Sequence, residues 1–295
     1  MKVFLIGANG QLGTDLRQVL VSEGTSVVPV THKDLDVRHA EAVFAAITEA
    51  RPDVVISTAA YHRVEECETQ AALAFEVNAL GARNLAQACD RAGCILVNFS
   101  TDYVFDGKQQ KPFSEVDLPH PLSVYGASKL AGEHLVSAVF DRYFVIRTCG
   151  LYGVAGSSGK GGNFVETMLK RAAAGSPLRV VNDQVLTPTF TVDLAHAVVK
   201  LIRTGQFGLI HISSEGECSW YDFAKAIFDL EKLEVDVAPV STDQFPSLVK
   251  RPAYSVLLKK RLNTLGIEIP RWEDALARYL LARRAHQTTA VGEAR

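Results

Sequence analysis

Val3-Phe4-Leu5-Ile6-Gly7-Ala8-Asn9-Gly10-Gln11-Leu12-Gly13 is the stretch that decides the fold. Its first four residues are all apolar, as a strand buried on both faces requires. Three glycines follow, and Leu12, Leu16, Val19 and Leu20 then recur at helical spacing. Strand, glycine turn and helix in that order bring backbone N–H groups and a helix N-terminus to one point, which suits a pyrophosphate. The spacing is GxxGxxG rather than GxGxxG. The setting within a strand–helix unit, more than the glycines, therefore points to a bound dinucleotide. Gly7, Gly10, Gln11, Leu12 and Gly13 are the residues expected to cradle it.

The same alternation continues outward. Apolar runs at 27–30, 54–57, 95–99 and 143–147 read as strands, and 38–50, 70–92 and 125–140 read as helices. Pro29 sits oddly in the second strand, and Asn78 is a polar residue in an otherwise apolar-periodic helix. Strand and helix in strict turn predict an α/β fold with a doubly wound parallel sheet. The register changes after 149. Residues 150–162 are rich in glycine and serine, as a flexible loop or lid would be. Helices follow at 163–174, 192–203, 220–230 and 272–284, with strands at 178–181 and 208–212. The expected division is a dinucleotide-binding domain, 1–149 plus about 188–212, and a smaller C-terminal α/β lobe, about 150–187 and 213–285. The last residues, 286–295, read as a disordered tail.

The chemistry concentrates at Tyr125-Gly126-Ala127-Ser128-Lys129. A tyrosine and a lysine four apart share one helix face. An ammonium near a phenol favours the phenolate and lowers its pKa, so that the tyrosine can pass a proton near neutral pH. Ser100-Thr101-Asp102-Tyr103 lies just beyond a strand's carboxyl end, where a hydroxyl can hold a substrate carbonyl. The second strand ends at Val30-Thr31-His32-Lys33 without the carboxylate that usually binds an NAD ribose, and the basic pair leans towards NADP(H), with NAD(H) also admitted. Ala59 and Ala60 are small residues at a strand end, where a flat cofactor can approach the backbone.

Composition narrows the classes. A net charge of −2 gives no reason to expect nucleic acid or an anionic membrane as partner. No apolar run reaches the roughly 20 residues of a membrane span. Five scattered cysteines without a CxxC pair read as reduced thiols in a cytoplasmic protein. The eight histidines make no HxxxH or HxH, and no metal is expected.

Together, Gly7-x-x-Gly10-x-x-Gly13, the run from Ser100 to Gly107 and Tyr125-x-x-x-Lys129 resemble the extended short-chain dehydrogenase/reductase superfamily, with its Rossmann-like domain and substrate lobe. Gly10-Gln11-Leu12-Gly13, Arg51-Pro52-Asp53, Ala59-Ala60-Tyr61, Asn182-Asp183-Gln184 and Arg251-Pro252 narrow the resemblance to the dTDP-4-dehydrorhamnose reductase family. The resemblance implies NADPH-dependent reduction of the 4-keto group of a nucleotide deoxysugar. Tyr125 would be the proton donor, Lys129 its partner and a ribose ligand, and Thr101 the carbonyl's holder. Asp36 and Val37 would meet the adenine, and Ala59, Ala60 and Tyr61 the inner half of the cofactor. Asp102, Tyr103, Asn163, Gln184 and Arg251 would line the sugar-nucleotide site, and a homodimer is the candidate assembly. The chain departs from the family at Cys149-Gly150, where Ser-Trp is usual, at Leu186, where a glycine is common, at His62 and Glu65, where Thr and Asp are more usual, and at Leu258, where an aspartate is common. Either an aromatic, Tyr103, Phe105, Tyr152 or Phe164, covers the sugar in place of that tryptophan, or the pocket is wider than in the usual reductase and takes a differently substituted sugar. The competing readings are an epimerase or dehydratase of a nucleotide sugar, and a non-catalytic regulatory subunit on the same fold.

Overall fold

The computed structural model describes residues 1–155, 162–175, 177–245 and 247–293. The amino-terminal half runs β1 (Lys2–Ile6), α1 (Gln11–Ser22), β2 (Ser26–Val30), α2 (Ala40–Ala50), β3 (Val54–Ser57), α3 (Val64–Thr69), α4 (Ala71–Phe75), α5 (Gly81–Ala92), β4 (Ile95–Thr101), α6 (Val124–Ser137) and β5 (Tyr143–Thr148). It continues with β6 (Leu151–Tyr152), α7 (Phe164–Ala173), β7 (Leu178–Val181), β8 (Val185–Leu186), β9 (Thr189–Phe190), α8 (Thr191–Ile202) and β10 (Gly208–His211). The last elements are β11 (Cys218–Ser219), α9 (Trp220–Glu231), β12 (Val237–Val240), α10 (Lys260–Thr264) and α11 (Trp272–Glu293).

Six strands form one parallel sheet in the order β10-β5-β4-β3-β1-β2. Successive side chains on a strand point to opposite faces, so each apolar strand feeds two cores. Val3, Leu5, Ile56, Val97 and Ile146 pack on one side with Leu16 of α1 and Leu194 and Val198 of α8. Phe4, Ile6, Val55, Leu96 and Val145 pack on the other with Val43 of α2, Leu85 of α5 and Val136 of α6. Pro29 is tolerated because β2 is an outer strand, where a missing N–H leaves no ladder bond unmade. A further core joins Tyr152, Val165, Phe190, Phe223, Trp272 and Tyr279, from β6, β9, α7, α9 and α11.

The structure differs from the sequence expectation in two elements. The single helix expected over 70–92 runs without a gap from Ala71 to Ala92 but carries a π turn, Glu76–Leu80. That turn holds Asn78, whose amide bonds the Tyr61 backbone and Ser128 on α6, so a polar residue in an apolar stripe has tertiary partners. The tail expected at 286–295 instead prolongs α11 to Glu293. The stretch 286–293 holds only three strong helix formers, Gln287, Ala290 and Glu293, and it continues a helix already set by 272–285, where neither glycine nor proline intervenes. Residues 156–161, the centre of the expected lid, lie outside the described residues. Among the described residues no helix is long and apolar enough to cross a membrane.

One row of the sheet is polar. Ser100, Arg147 and His211 stand side by side in register on β4, β5 and β10, all buried. Burial, with the Arg147 charge beside it, holds the His211 imidazole down to about 3 from its usual 6.5. The folded chain therefore binds fewer protons than the unfolded one between those values. The resulting stability is complete above 6.5 and is lost as pH falls towards 3. From pH 6.5 to 5 this one group should remove about 2 kcal/mol. Urea unfolding at both pH values should show a smaller acid loss in His211→Gln than in the wild type; equal losses would contradict the assignment.

Candidate active site

The site gathers at the carboxyl ends of the parallel strands, where open α/β sheets bind ligands. After β1 the chain turns at Gly7, whose φ of +78° favours a residue without Cβ. The turn is tied sideways, since Gly7 and Ala8 donate backbone N–H groups to the Val30 carbonyl at 2.8 and 3.1 Å. A Cβ on Gly13 would collide with the Gly7 carbonyl, so α1 can start this close only with glycine there. Gly10 caps α1 without a side-chain acceptor, leaving the helix's first N–H groups facing the turn. Thr58 staples this turn to the end of β3 by donating to the Ile6 and Gly7 carbonyls at 3.0 and 3.1 Å. Gln11 and Leu12 open the helix, so the turn and the helix start together present the backbone N–H geometry that suits a pyrophosphate.

The residues flanking the cradle fall into place around it. Ala59, Ala60 and Tyr61 follow β3; the Tyr61 backbone is clamped by Asn78 at 2.8 and 3.0 Å, and its hydroxyl donates to Glu66 at 2.9 Å. Asp36 is engaged by Arg38 at 2.6 Å, and that hydrogen bond holds its carboxyl down to about 2. Asn84 donates to the Val37 and Arg38 carbonyls at 3.0 and 3.2 Å, fixing this loop beside α5. Arg38, missed from sequence, lies beyond β2 after His32 and Lys33 and is paired with Asp36 and Glu76.

Ser123 caps α6 by accepting from Gly126 N at 3.2 Å. A Cβ on Gly126 would strike the Tyr103 carbonyl, so α6 abuts the segment after β4 and carries Tyr125 to Thr101. The Tyr125 and Tyr103 rings meet edge to face at 5.7 Å. Burial pushes the Tyr125 phenol above its usual 10, opposed by its hydrogen bond with Thr101. The lowering expected from Lys129 is not what governs it: withdrawal from water outweighs other influences. The phenol is thus proton-loaded at neutral pH, the state a proton donor needs. Burial also lowers Lys129 to about 8, with Glu133 opposing. Among the described residues Lys129 Nζ has no hydrogen-bond or ion-pair partner, although the side chain is only 4% exposed.

Thr101 Oγ1 donates to Asp102 Oδ1 at 3.0 Å and accepts from Tyr103 N at 3.2 Å. Ser255 Oγ donates to the other Asp102 oxygen at 2.6 Å. Burial raises Asp102 to about 6 and Tyr103 to about 12. Asp102, Tyr103, Gln184 and Arg251, four residues expected to bind substrate, line one cleft together with Leu186 and Trp220. Arg251 also pairs with Glu65, spanning the cleft from α3. Asn163 is placed elsewhere: it caps α7 and donates to Gln11 Oε1, the Gly153 carbonyl and Tyr279 Oη at 3.2, 3.0 and 3.3 Å. It joins the cofactor turn to the second core rather than lining the cleft. Of the four aromatics expected to cover the sugar, Tyr103 alone lines the cleft. Phe105 and Tyr152 are fully buried, and Phe164 stacks behind Trp220 at 4.5 Å. Trp220 was missed although it is one of only two tryptophans and directly follows a capping serine.

A glycine-turned parallel sheet with a tyrosine–lysine pair on the facing helix defines a dehydrogenase/reductase of the extended short-chain type. The chain belongs to the family described as RmlD substrate binding domain, which it matches over residues 1–284. It is 42% identical to a dTDP-4-dehydrorhamnose reductase from Clostridium acetobutylicum, with a TM-score of 0.92 over 96% of this chain and 100% of that one. The corresponding reductase from Bacillus anthracis, solved in complex with NADP, is 40% identical, with a TM-score of 0.91 over 95% and 99%. The spore coat polysaccharide biosynthesis protein SpsK of Bacillus subtilis is 40% identical over 96% of this chain and 98% of its own.

Two of the departures from the family pattern, Gly150 and Leu186, touch each other. Gly150 has φ +57°, and a Cβ there would lie 2.9 Å from Leu186 Cδ1 and 3.0 Å from Pro188 Cα. Leu186 thus occupies the space that a side chain at 150 would enter. Gly150→Trp alone should overpack this wall and destabilise the fold by about 1–3 kcal/mol. Adding Leu186→Gly should recover part of the loss in melting temperature, the left-handed backbone at 150 retaining the rest. A double variant no more stable than Gly150→Trp would contradict compensation.

Proposed function

We propose that this chain reduces the 4-keto group of a dTDP-linked 6-deoxysugar with NADPH, dTDP-4-dehydrorhamnose being the substrate its relatives indicate. The observation that carries the reading is the buried, proton-loaded Tyr125 facing Thr101, with Lys129 one helical turn away. The residues fit the cofactor: the glycine cradle has no room for Cβ atoms, and the buried Lys129 ammonium lacks a protein partner. NADPH bound there supplies the hydride. Tyr125 Oη delivers the proton to the carbonyl oxygen as it gains charge, and the Thr101 hydroxyl orients that oxygen. Lys129, one helical turn from Tyr125 and without a protein partner, would hold the cofactor ribose. Arg251 offers a cation to the substrate diphosphate, and Trp220 and Leu186 give the sugar an apolar wall.

On this reading the glycine-turned sheet is the cofactor domain, and the segments around Gln184, Trp220 and Arg251 form the substrate lobe. His32 and Lys33 beyond β2 favour the extra phosphate of NADP(H). A second reading, a differently substituted 4-keto sugar, is favoured by one observation: the wall usually made by tryptophan at 150 is here Leu186 with Trp220.

Tyr125→Phe removes the proton donor alone. Reduction of dTDP-4-dehydrorhamnose, followed by NADPH oxidation, should fall by at least about 10²-fold, while NADPH binding by fluorescence titration changes little. Near-full activity would overturn the assignment. NADPH should bind at least as well as NADH, and Lys33→Ala should narrow the difference. A clear NADH preference untouched by Lys33→Ala would reject the cofactor reading.

A further inference from the structure

Glu133 lies four residues beyond Lys129 and eight beyond Tyr125, so the three side chains form one stripe along α6. Its carboxylate is only 8% exposed and takes donors from two strand ends. Ser100 Oγ and Arg147 Nε reach Oε1, the latter at 2.9 Å, and the other end of the Arg147 fork reaches Oε2 at 2.6 Å. Ser100 immediately precedes Thr101, and the two strands meet here in register, Ser100 beside Arg147 and Thr101 beside Thr148.

The other neighbours of Arg147 are neutral. Its guanidinium lies over the Phe105 ring at 5.0 Å, and Nη1 stands 3.5 Å from His211 Nε2. His211 Nδ1 is 3.1 Å from the Phe113 carbonyl, so Nδ1 carries the ring proton and Nε2 is the acceptor. The Arg147 charge is therefore balanced by Glu133. The groups acting on Tyr125 come from elsewhere: Asp102 and Tyr103 after β4, and Cys67 on α3. On Lys129 the influences are burial and Glu133.

We propose that Glu133 is a positioning residue for the reduction: it seats the Tyr125 helix on the strand ends that carry Thr101, and its carboxylate, balanced against the Arg147 cation, keeps the neighbouring Lys129 an ammonium. The inference rests on the reading of Tyr125 and Lys129 given above. A buried ion pair is a poor source of net stability. This pair stands one turn below a buried cation that depends on the charge balance beneath it.

The test is the pH dependence of kcat/KM for dTDP-4-dehydrorhamnose at saturating NADPH, with the full-length chain. Glu133→Gln leaves Arg147 unbalanced, so the alkaline limb should move down by about one unit. Arg147→Gln removes the opposing cation, and its limb should stay or move up. Glu133→Asp keeps the charge and should restore the wild-type limb. If Glu133→Gln does not fold, the doubly neutral Glu133→Gln/Arg147→Gln chain should place its limb close to that of the wild type. A Glu133→Gln enzyme slowed equally at every pH would overturn the proposal, as would a limb that falls in Arg147→Gln or in the double variant. Tyr125→Phe and Lys129→Met run alongside separate the two readings. If these keep activity, the catalytic assignment itself fails; if they lose it while the Glu133→Gln limb stays fixed, Glu133 is only structural.

Discussion

The seating of α6 against the ends of β4 and β5 is the constraint on which the site depends. Near its start, Gly126 leaves room for the Tyr103 carbonyl, so the helix meets the segment that carries Thr101 and Asp102. One turn on, Ser128 accepts from the Asn78 amide, and further along a Cβ on Gly132 would collide with the Asn78 carbonyl. The Glu133 carboxylate then locks onto Arg147 at 2.6 Å. Close backbone approach requires glycine, and a buried carboxylate requires a cation and hydrogen-bond donors. These demands fix both the height and the rotation of the helix, and hence where the Tyr125 phenol lies.

The cofactor side obeys a similar logic of close approach. The Gly7 turn is stapled by Val30 on one flank and Thr58 on the other, each on the end of a strand neighbouring β1. The cradle is therefore preorganised by the sheet rather than by the loop itself. The same economy joins the second core to the cradle, since one Asn163 amide caps α7 and reaches both Gln11 and Tyr279. Movement of that core relative to the sheet would be felt at the cofactor turn.

Much of this was legible in the sequence because parallel strands buried on both faces must be apolar runs, and because Tyr125 and Lys129 are related by helix geometry alone. What was not legible depends on contacts between distant segments. Asn78 looked like an ambiguous polar residue; its π turn forms where the backbone reaches Tyr61 and Ser128. Asn163 carried the family pattern yet serves to join two parts of the fold. Trp220 gave no signal beyond its rarity, since nothing local says that α9 begins at the cleft. Gly150 and Leu186 could each be seen as departures, but only the fold shows that they abut. The end of α11 was not legible because its final residues are small and polar and include Thr288, Thr289 and Gly292, all weak helix formers.

The central claim is that this site moves a hydride to C4 of a nucleotide sugar while Tyr125 protonates the oxygen. Its most direct measurement uses NADPH deuterated at the transferable position with dTDP-4-dehydrorhamnose, followed by mass and magnetic-resonance analysis of the product. The account predicts one deuterium per product molecule, located at C4, for each NADP⁺ formed. Product without deuterium, or with deuterium at another carbon, would contradict it.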